Sequence, residues 1–196
     1  MTQQGRTSGY VSRAVANDLW LELLERNGKG WLPVLTSSMA PLIRPGDEVL
    51  VSRSTPRDVC FGDIVVFRRN NDLIVHRALG TRRRGEDTML LEKGDTGMDL
   101  SPVSASSVVG RVISVRRHGK PINLSLRPSR SVNQLMSVWI LATALGIGWL
   151  KSSRFRLLRI VASPLAQAMT LVTNALVRTC LPFWYLFSLA YREDTA

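Results

Sequence analysis

The stretch GDIVVFRRNNDLIVHRAL, residues 62–79, decides the fold class of this chain. Two short runs rich in valine, isoleucine and leucine flank an Asn-Asn-Asp cluster, a pattern typical of two β-strands joined by a hairpin turn. We predict these strands at residues 63–68 and 73–79. Similar runs, separated by glycine, proline and aspartate, occur on both sides of the hairpin. They predict further strands at residues 31–35, 48–52, 88–92 and 108–115.

This pattern divides the chain into three parts. Residues 31–126 are predicted to form a β-rich domain. Within residues 1–30, Val11, Val15, Leu19 and Leu23 recur at steps of four, and a glycine follows at position 28. They predict an amphipathic helix, which we expect to dock on the domain that follows. Residues 127–196 show a helical period and long uncharged stretches, so this part is predicted to be a hydrophobic helical region.

The C-terminal region is the candidate for membrane attachment. Residues 131–150 carry no formal charge and are close to the length of a bilayer-spanning helix. Trp139 and Trp149, bounded by Arg130 and Lys151, are typical of a membrane helix. The alternative is a helical subdomain that packs these faces together in water. We expect a membrane-associated protein without an N-terminal signal peptide, and the side on which the β-rich domain lies stays open.

Composition limits the classes of partner and site. The net charge of +11 predicts attraction to something anionic, but charge alone does not choose among a membrane, nucleic acid and an acidic protein. The triple arginine at 82–84 is predicted to be a solvated hairpin tip, and the alternative is docking on anionic lipid or a partner. Cys60 and Cys180 lack the spacing of a zinc site or a disulfide framework, so we predict two packed thiols. No metal and no cofactor is expected.

A serine and a histidine point to the chemistry. Ser38 lies in TSSMAP, residues 36–41, which RPGD follows at 44–47, and His76 lies in LIVHR, residues 73–77. A hydroxyl group is a weak nucleophile at neutral pH unless a nearby base takes its proton, and histidine suits that task. The pattern therefore predicts a serine protease.

Four blocks, in order and at similar spacing, give a more specific indication: residues 34–47, GDIVVF at 62–67, IVHR at 74–77, and EKGD at 92–95 with Asp99 and VGRV at 109–112. Over roughly residues 32–115 the chain resembles the signal peptidase I family, in particular the endoplasmic-reticulum and archaeal branch that uses histidine as its base. This resemblance implies a β fold shared with LexA-type proteins, and an endopeptidase that removes a leader after a small residue.

The resemblance also implies residue roles. Ser38 matches the nucleophile and His76 the general base. Asp99 best matches the acidic residue that orients the histidine, with Asp95 as the second candidate. The backbone N–H of Ser38 and the hydroxyl of Thr36 are the expected oxyanion donors.

Neighbouring residues have alternatives of their own. Ser37 stands where many members of the family have glycine, and we favour Ser38 over it as the nucleophile. Lys93 is expected to be structural, although a buried lysine is an alternative base. His118 is expected in a solvated turn.

Two other functions stay open at this point. A LexA-type self-cleaving protein would need a lysine base and an N-terminal helix-turn-helix, whereas this chain has His76 and one predicted helix before Trp31. A catalytically silent, basic, membrane-attached binding module would keep the scaffold without the activity. The expected partners are a peptide or preprotein substrate, bound as an added β-strand, and membrane lipid. Nucleic acid is not expected, and the oligomeric state is open.

Overall fold

A computed structural model describes residues 4–85, 87–97 and 100–152, with a few positions between 164 and 179. These residues form a curled antiparallel sheet, shaped as a half-barrel, with one helix before it and one after it. The predicted architecture of a mainly β fold with an N-terminal and a C-terminal helix is confirmed at this level.

Eight strands of the described residues form a single sheet in the order β1-β2-β7-β3-β4-β5-β6, and β8 pairs with β7. All the strand pairs are antiparallel. The elements are α1 (Gln4–Asn27), β1 (Lys29–Pro33), β2 (Glu48–Arg53), β3 (Ile64–Arg69), β4 (Asp72–Arg84), β5 (Asp87–Lys93), β6 (Ser101–Ser104), β7 (Val108–Arg117), β8 (Lys120–Asn123) and α2 (Arg127–Ser152).

All six predicted strands occur, with shifted ends. The largest difference is β4, which extends to Arg84 rather than residue 79 because its arginine-rich end pairs with β5 as far as Arg84 and Asp87. The three arginines at 82–84 are exposed, as expected of a solvated hairpin. Strands β6 and β8 were not predicted, since each is four residues long and lacks an alternating apolar pattern.

Helix α1 docks on the sheet, but not through the apolar stripe that predicted it. Val15 and Leu19 are 63% and 57% exposed. The docked side carries Leu24, which is buried, and Trp20, whose indole N–H donates to the carbonyl oxygen of Trp31 at 2.8 Å. A hydrogen bond from Asn17 to the carbonyl of Asn71 adds a polar contact with the β3–β4 turn. The docked face is therefore set by the burial of Leu24 and by these hydrogen bonds, and not by the four-residue repeat.

Helix α2 packs its first half against the domain. Ser129, Asn133, Met136, Ser137 and Ile140 are buried. Within the part of the chain that the structure describes, no helix combines the length and the apolar character that crossing a bilayer requires. Most of the predicted hydrophobic region beyond residue 152 lies outside the described residues.

The cysteine prediction is wrong for one of the two residues. Cys60 is exposed and unpaired as a thiol, because it lies in the turn before β3 and not in a strand of the core. Its backbone N–H, rather than its side chain, is used there, donating to Asp63 Oδ2 at 2.9 Å. Cys180 lies outside the described residues.

Candidate active site

Ser38 is placed by a turn whose next residues are anchored in the core. It begins the turn after β1, and Met39, Leu42 and Ile43 are all buried. Asp47 closes the following turn: its carboxylate accepts from the backbone N–H of Arg44 at 2.8 Å. Ser37 is exposed, whereas Ser38 lines a cleft. The buried neighbours therefore fix Ser38, not Ser37, at the cleft wall.

His76 lies in β4 and is held on two sides. The edge of its ring meets the buried Phe67, with the ring centroids 6.0 Å apart and the planes at 65°. Its Nδ1–H donates to Oε2 of Glu92 over 2.5 Å. Because Nδ1 is occupied in this way, Nε2 is the ring nitrogen left for proton transfer. The side chain keeps 19% exposure, so solvent reaches it.

Glu92, which the sequence did not identify as a partner of His76, reaches it because of a β-bulge. Gly80 pairs with Leu91, but Ala78 pairs with Glu92, so Leu79 is an extra residue in β4. His76 and Ala78 lie on one face of the strand, which makes His76 a diagonal neighbour of Glu92. Without the extra residue, Glu92 would pair with Leu79 and point to the other face.

The Glu92 carboxylate lies between the Arg69 guanidinium, which is a cation, and the His76 imidazole, which is a cation when protonated. Its Oε1 accepts from Arg69 Nη2 at 2.8 Å, and its side chain is only 2% exposed. Burial by itself would raise the pKa of Glu92, but the hydrogen bonds and charges of His76 and Arg69 outweigh it and hold the pKa below its ordinary value. The carboxylate is therefore ionised beside the imidazole at neutral pH.

Ser38 and His76 approach each other across Gly94. A β-carbon built on Gly94 would lie 3.1 Å from His76 Nε2 and 3.3 Å from Ser38 Cβ. It would also lie 2.8 Å from the carbonyl oxygen of Ser38, closer than real contacts allow. Glycine at this position therefore lets the two side chains flank one small space.

The chain around Ser38 also carries the predicted oxyanion donors. The hydroxyl oxygens of Thr36 and Ser38 are 3.4 Å apart. The carbonyl of Ser38 accepts from the backbone N–H of Thr96 at 3.0 Å, while no acceptor among the described residues takes the Ser38 N–H. The structure thus places Thr36 beside Ser38, and His76 lines the same cleft.

These residues line a cleft of about 400 Å³. One side is the end of β1 and the segment that follows it, and the other side is the first half of β4. That half of β4 pairs with β3, while β5 pairs with β4 only from Arg77 onward. Arg13 and Asn17 of α1 lie at the far end. The cleft is therefore a groove beside an unpaired stretch of strand.

Of the two aspartates predicted to orient His76, the structure describes only Asp95. Asp95 points to the opposite face of the sheet, where both of its oxygens accept from Arg77, each at 2.8 Å. The physical reason is strand alternation: Arg77 follows His76 directly, so their side chains leave β4 on opposite faces. Asp99 lies outside the described residues.

Two further side chains can be placed. Lys93 is buried, and its Nζ donates to the carbonyl of Gly94 at 3.0 Å. His118 lies exposed in the β7–β8 turn with a φ of 49°, as expected.

No protein-family model matches this chain, and no curated protein matches it. The function therefore has to be derived from the chemistry of the site itself.

Proposed function

We propose that this protein is a serine endopeptidase in which Ser38 is the nucleophile, His76 the general base and Glu92 the group that orients the base. The observation that carries the proposal is that His76 bonds to Glu92 Oε2 through Nδ1, while its Nε2 and the side chain of Ser38 both border the small space beside Gly94. A nucleophile, a base and a group that holds the base are the three parts that acyl transfer at neutral pH requires.

In the proposed reaction, Ser38 Oγ attacks the scissile carbonyl carbon while His76 Nε2 takes the hydroxyl proton. The imidazolium that forms is stabilised by the Glu92 carboxylate, which is already ionised. His76 then protonates the departing amine, and water attacks the acyl-enzyme by the same route. The Ser38 N–H and the Thr36 hydroxyl are the proposed donors to the negative carbonyl oxygen.

The groove suits an extended peptide. Residues 72–76 of β4 offer backbone groups on the side away from β3, and β1 is an edge strand of the sheet on the opposite wall. A substrate strand between them would gain main-chain hydrogen bonds, with pockets for alternate side chains. Together with the resemblance to signal peptidases, this supports a leader peptide cut after a small residue as the substrate.

Cleavage of a quenched fluorescent leader peptide, with alanine before the scissile bond, tests the proposal. We expect Ser38→Ala and His76→Ala each to lower kcat/KM by at least about 10³-fold. Ser37→Ala and His118→Ala are the matched controls and should keep activity. If wild type and the first two variants behave alike, the protein is not this peptidase; binding of the peptide without cleavage would favour the silent binding module.

The pH dependence identifies the base. A protonated imidazole cannot accept the serine proton, so the rate should fall at acidic pH. The unperturbed pKa of histidine is about 6.5. A rate that stays flat from about pH 5 to pH 8 contradicts a histidine base. Lys93→Met tests Lys93 as the alternative base. Activity should be retained if Lys93 only donates to the Gly94 carbonyl, and lost if its amine is the base.

We further propose that the C-terminal region attaches the protein to a membrane. The uncharged run at 131–150 supports this, as do the exposed apolar residues of α2, Leu135, Val138, Leu145 and Trp149. Flotation with anionic and neutral lipid vesicles tests it on the full chain and on a form ending at Ser152. Loss of binding on truncation assigns attachment to residues 153–196, retention assigns it to α2, and a full chain that does not float refutes it.

A further inference from the structure

Helix α2 carries a buried polar stripe that faces the underside of the site. Ser129, Asn133 and Ser137 are spaced by four, so they lie on one side of the helix. They are 1%, 6% and 0% exposed. Burying a polar side chain costs free energy unless the side chain is hydrogen-bonded. The hydrogen-bond partners of these residues therefore indicate their role.

Two of the three contact Arg77, whose side chain is completely buried. Arg77 Nη1 donates to Asn133 Oδ1, and it lies 3.3 Å from Ser137 Oγ. The other edge of the guanidinium, Nε and Nη2, forms the paired hydrogen bonds with Asp95. The fork geometry of arginine thus joins α2 to the Asp95 segment through one rigid plane.

Arg77 and its partner Asp95 each adjoin, along the chain, a residue of the proposed reaction space. Arg77 directly follows His76 in β4, and Asp95 directly follows Gly94, which lies between Ser38 and His76. The next residue, Thr96, donates its N–H to the carbonyl of Ser38 at 3.0 Å. A displacement of the guanidinium would therefore move both sides of the space in which the proton is transferred.

The contact between α2 and the sheet is also sterically tight. Asn133 Nδ2 donates to the carbonyl of Gly62 at 2.8 Å. A β-carbon on Gly62 would lie 3.0 Å from Ser137 Oγ and 3.3 Å from the Cα of Gln134. The turn before β3 therefore accepts the helix in one position.

We propose that Asn133 is a positioning residue of the catalytic site, so that the C-terminal helix sets the relative placement of His76 and Ser38 through Arg77 and Asp95. Its kinetic consequence rests on the proposed peptidase function, but the structural coupling does not. Asn133 touches neither the nucleophile nor the base.

The chain has two histidines, which allows a direct test of the coupling. Imidazole ¹⁵N resonances are recorded for the full-length wild type, Asn133→Ala and the milder Ser137→Ala. The expected result is a displaced His76 signal in both variants, with the His118 signal unchanged as an internal control. Ser129→Ala is the matched variant, because Ser129 is equally buried on α2 but its hydroxyl has no partner among the described residues.

Peptide cleavage supplies the second readout. Asn133→Ala should lower kcat about tenfold with KM within about twofold, because misplaced catalytic groups slow chemistry more than binding. Thermal unfolding shows whether each variant is folded. If Asn133→Ala does not fold, the result for Ser137→Ala decides the proposal. An unmoved His76 signal in the folded variants overturns the proposal. Inactive wild type with a moved His76 signal refutes the peptidase function and leaves the coupling supported.

Discussion

Glu92 lies on the face of the sheet that His76 occupies because β4 contains one extra residue between them in the strand pairing. The 2.5 Å contact between Glu92 Oε2 and His76 Nδ1 therefore depends on the pairing register of β4 and β5. A hairpin that continued in regular pairing from Arg84 and Asp87 would place Glu92 on the opposite face. The bulge thus determines which acid contacts His76.

Replacing Glu92 with glutamine tests this relationship. Glutamine keeps only one acceptor oxygen for the two donors, His76 and Arg69, and the negative charge that stabilises an imidazolium is lost. We expect kcat for leader-peptide cleavage to fall by about 10²- to 10⁴-fold. Glu48→Gln, at an exposed glutamate paired with Arg116, should leave kcat unchanged. Equal activity of wild type and Glu92→Gln would show that Glu92 does not assist the base.

The contrast between Glu92 and Asp95 shows which part of the site could be predicted from the sequence. Ser38 and His76 lie in short motifs, and the structure brings them to one cleft. Their acidic partner depends on the pairing of two strands, which periodicity does not reveal. The one local signal is Gly80, a glycine inside a strand with a φ of 143°, since such a glycine often marks a bulge.

The fold, like the site, was predictable from the sequence only in part. Strands with an apolar pattern, such as β3 and β4, were predicted close to their positions, whereas β6 and β8 form only because longer strands beside them supply hydrogen bonds. For α1, the existence of the helix was predictable but its docked face was not. Trp20 and Leu24 face the sheet because of the shape and hydrogen bonds of the surface they meet.

The lowered pKa of Glu92 predicts a specific acid sensitivity of stability. Because the folded-state pKa lies below the ordinary 4.5, ionised Glu92 stabilises the fold fully above about pH 4.5. That stabilisation is lost as the pH falls through the folded-state pKa. Urea unfolding of wild type and Glu92→Gln from pH 7 to pH 3 should therefore show a difference in unfolding free energy that shrinks as the pH falls below about 4.5. A difference that is constant down to pH 3 would contradict a lowered pKa.

The buried pair of Arg77 and Asp95 predicts a large loss of stability when one charge is removed. Asp95→Asn leaves the guanidinium, which is 0% exposed, without its counter-charge. We expect the unfolding free energy to fall by about 3–5 kcal/mol. Asp18→Asn is the control, since Asp18 pairs with Arg68 at 2.9 Å but both side chains are largely exposed. That change should cost less than about 1 kcal/mol, as exposed ion pairs usually do. Similar losses for the two variants would show that Arg77 is adequately stabilised by α2 and Gly62 alone.

Gly94 provides the most local test of the space between nucleophile and base. A methyl group there would meet the Ser38 carbonyl at 2.8 Å and fill the gap beside His76 Nε2. Gly94→Ala should therefore reduce cleavage by at least about 10²-fold, because a displacement of about 1 Å at reacting groups has an effect of that size. Gly97→Ala is the matched control three residues away, where the nearest atom to a β-carbon is 3.9 Å distant. We expect it to keep full activity. If Gly94→Ala folds, shows an unmoved His76 imidazole signal and still cleaves at the wild-type rate, the reaction does not take place in the space that Ser38 and His76 share.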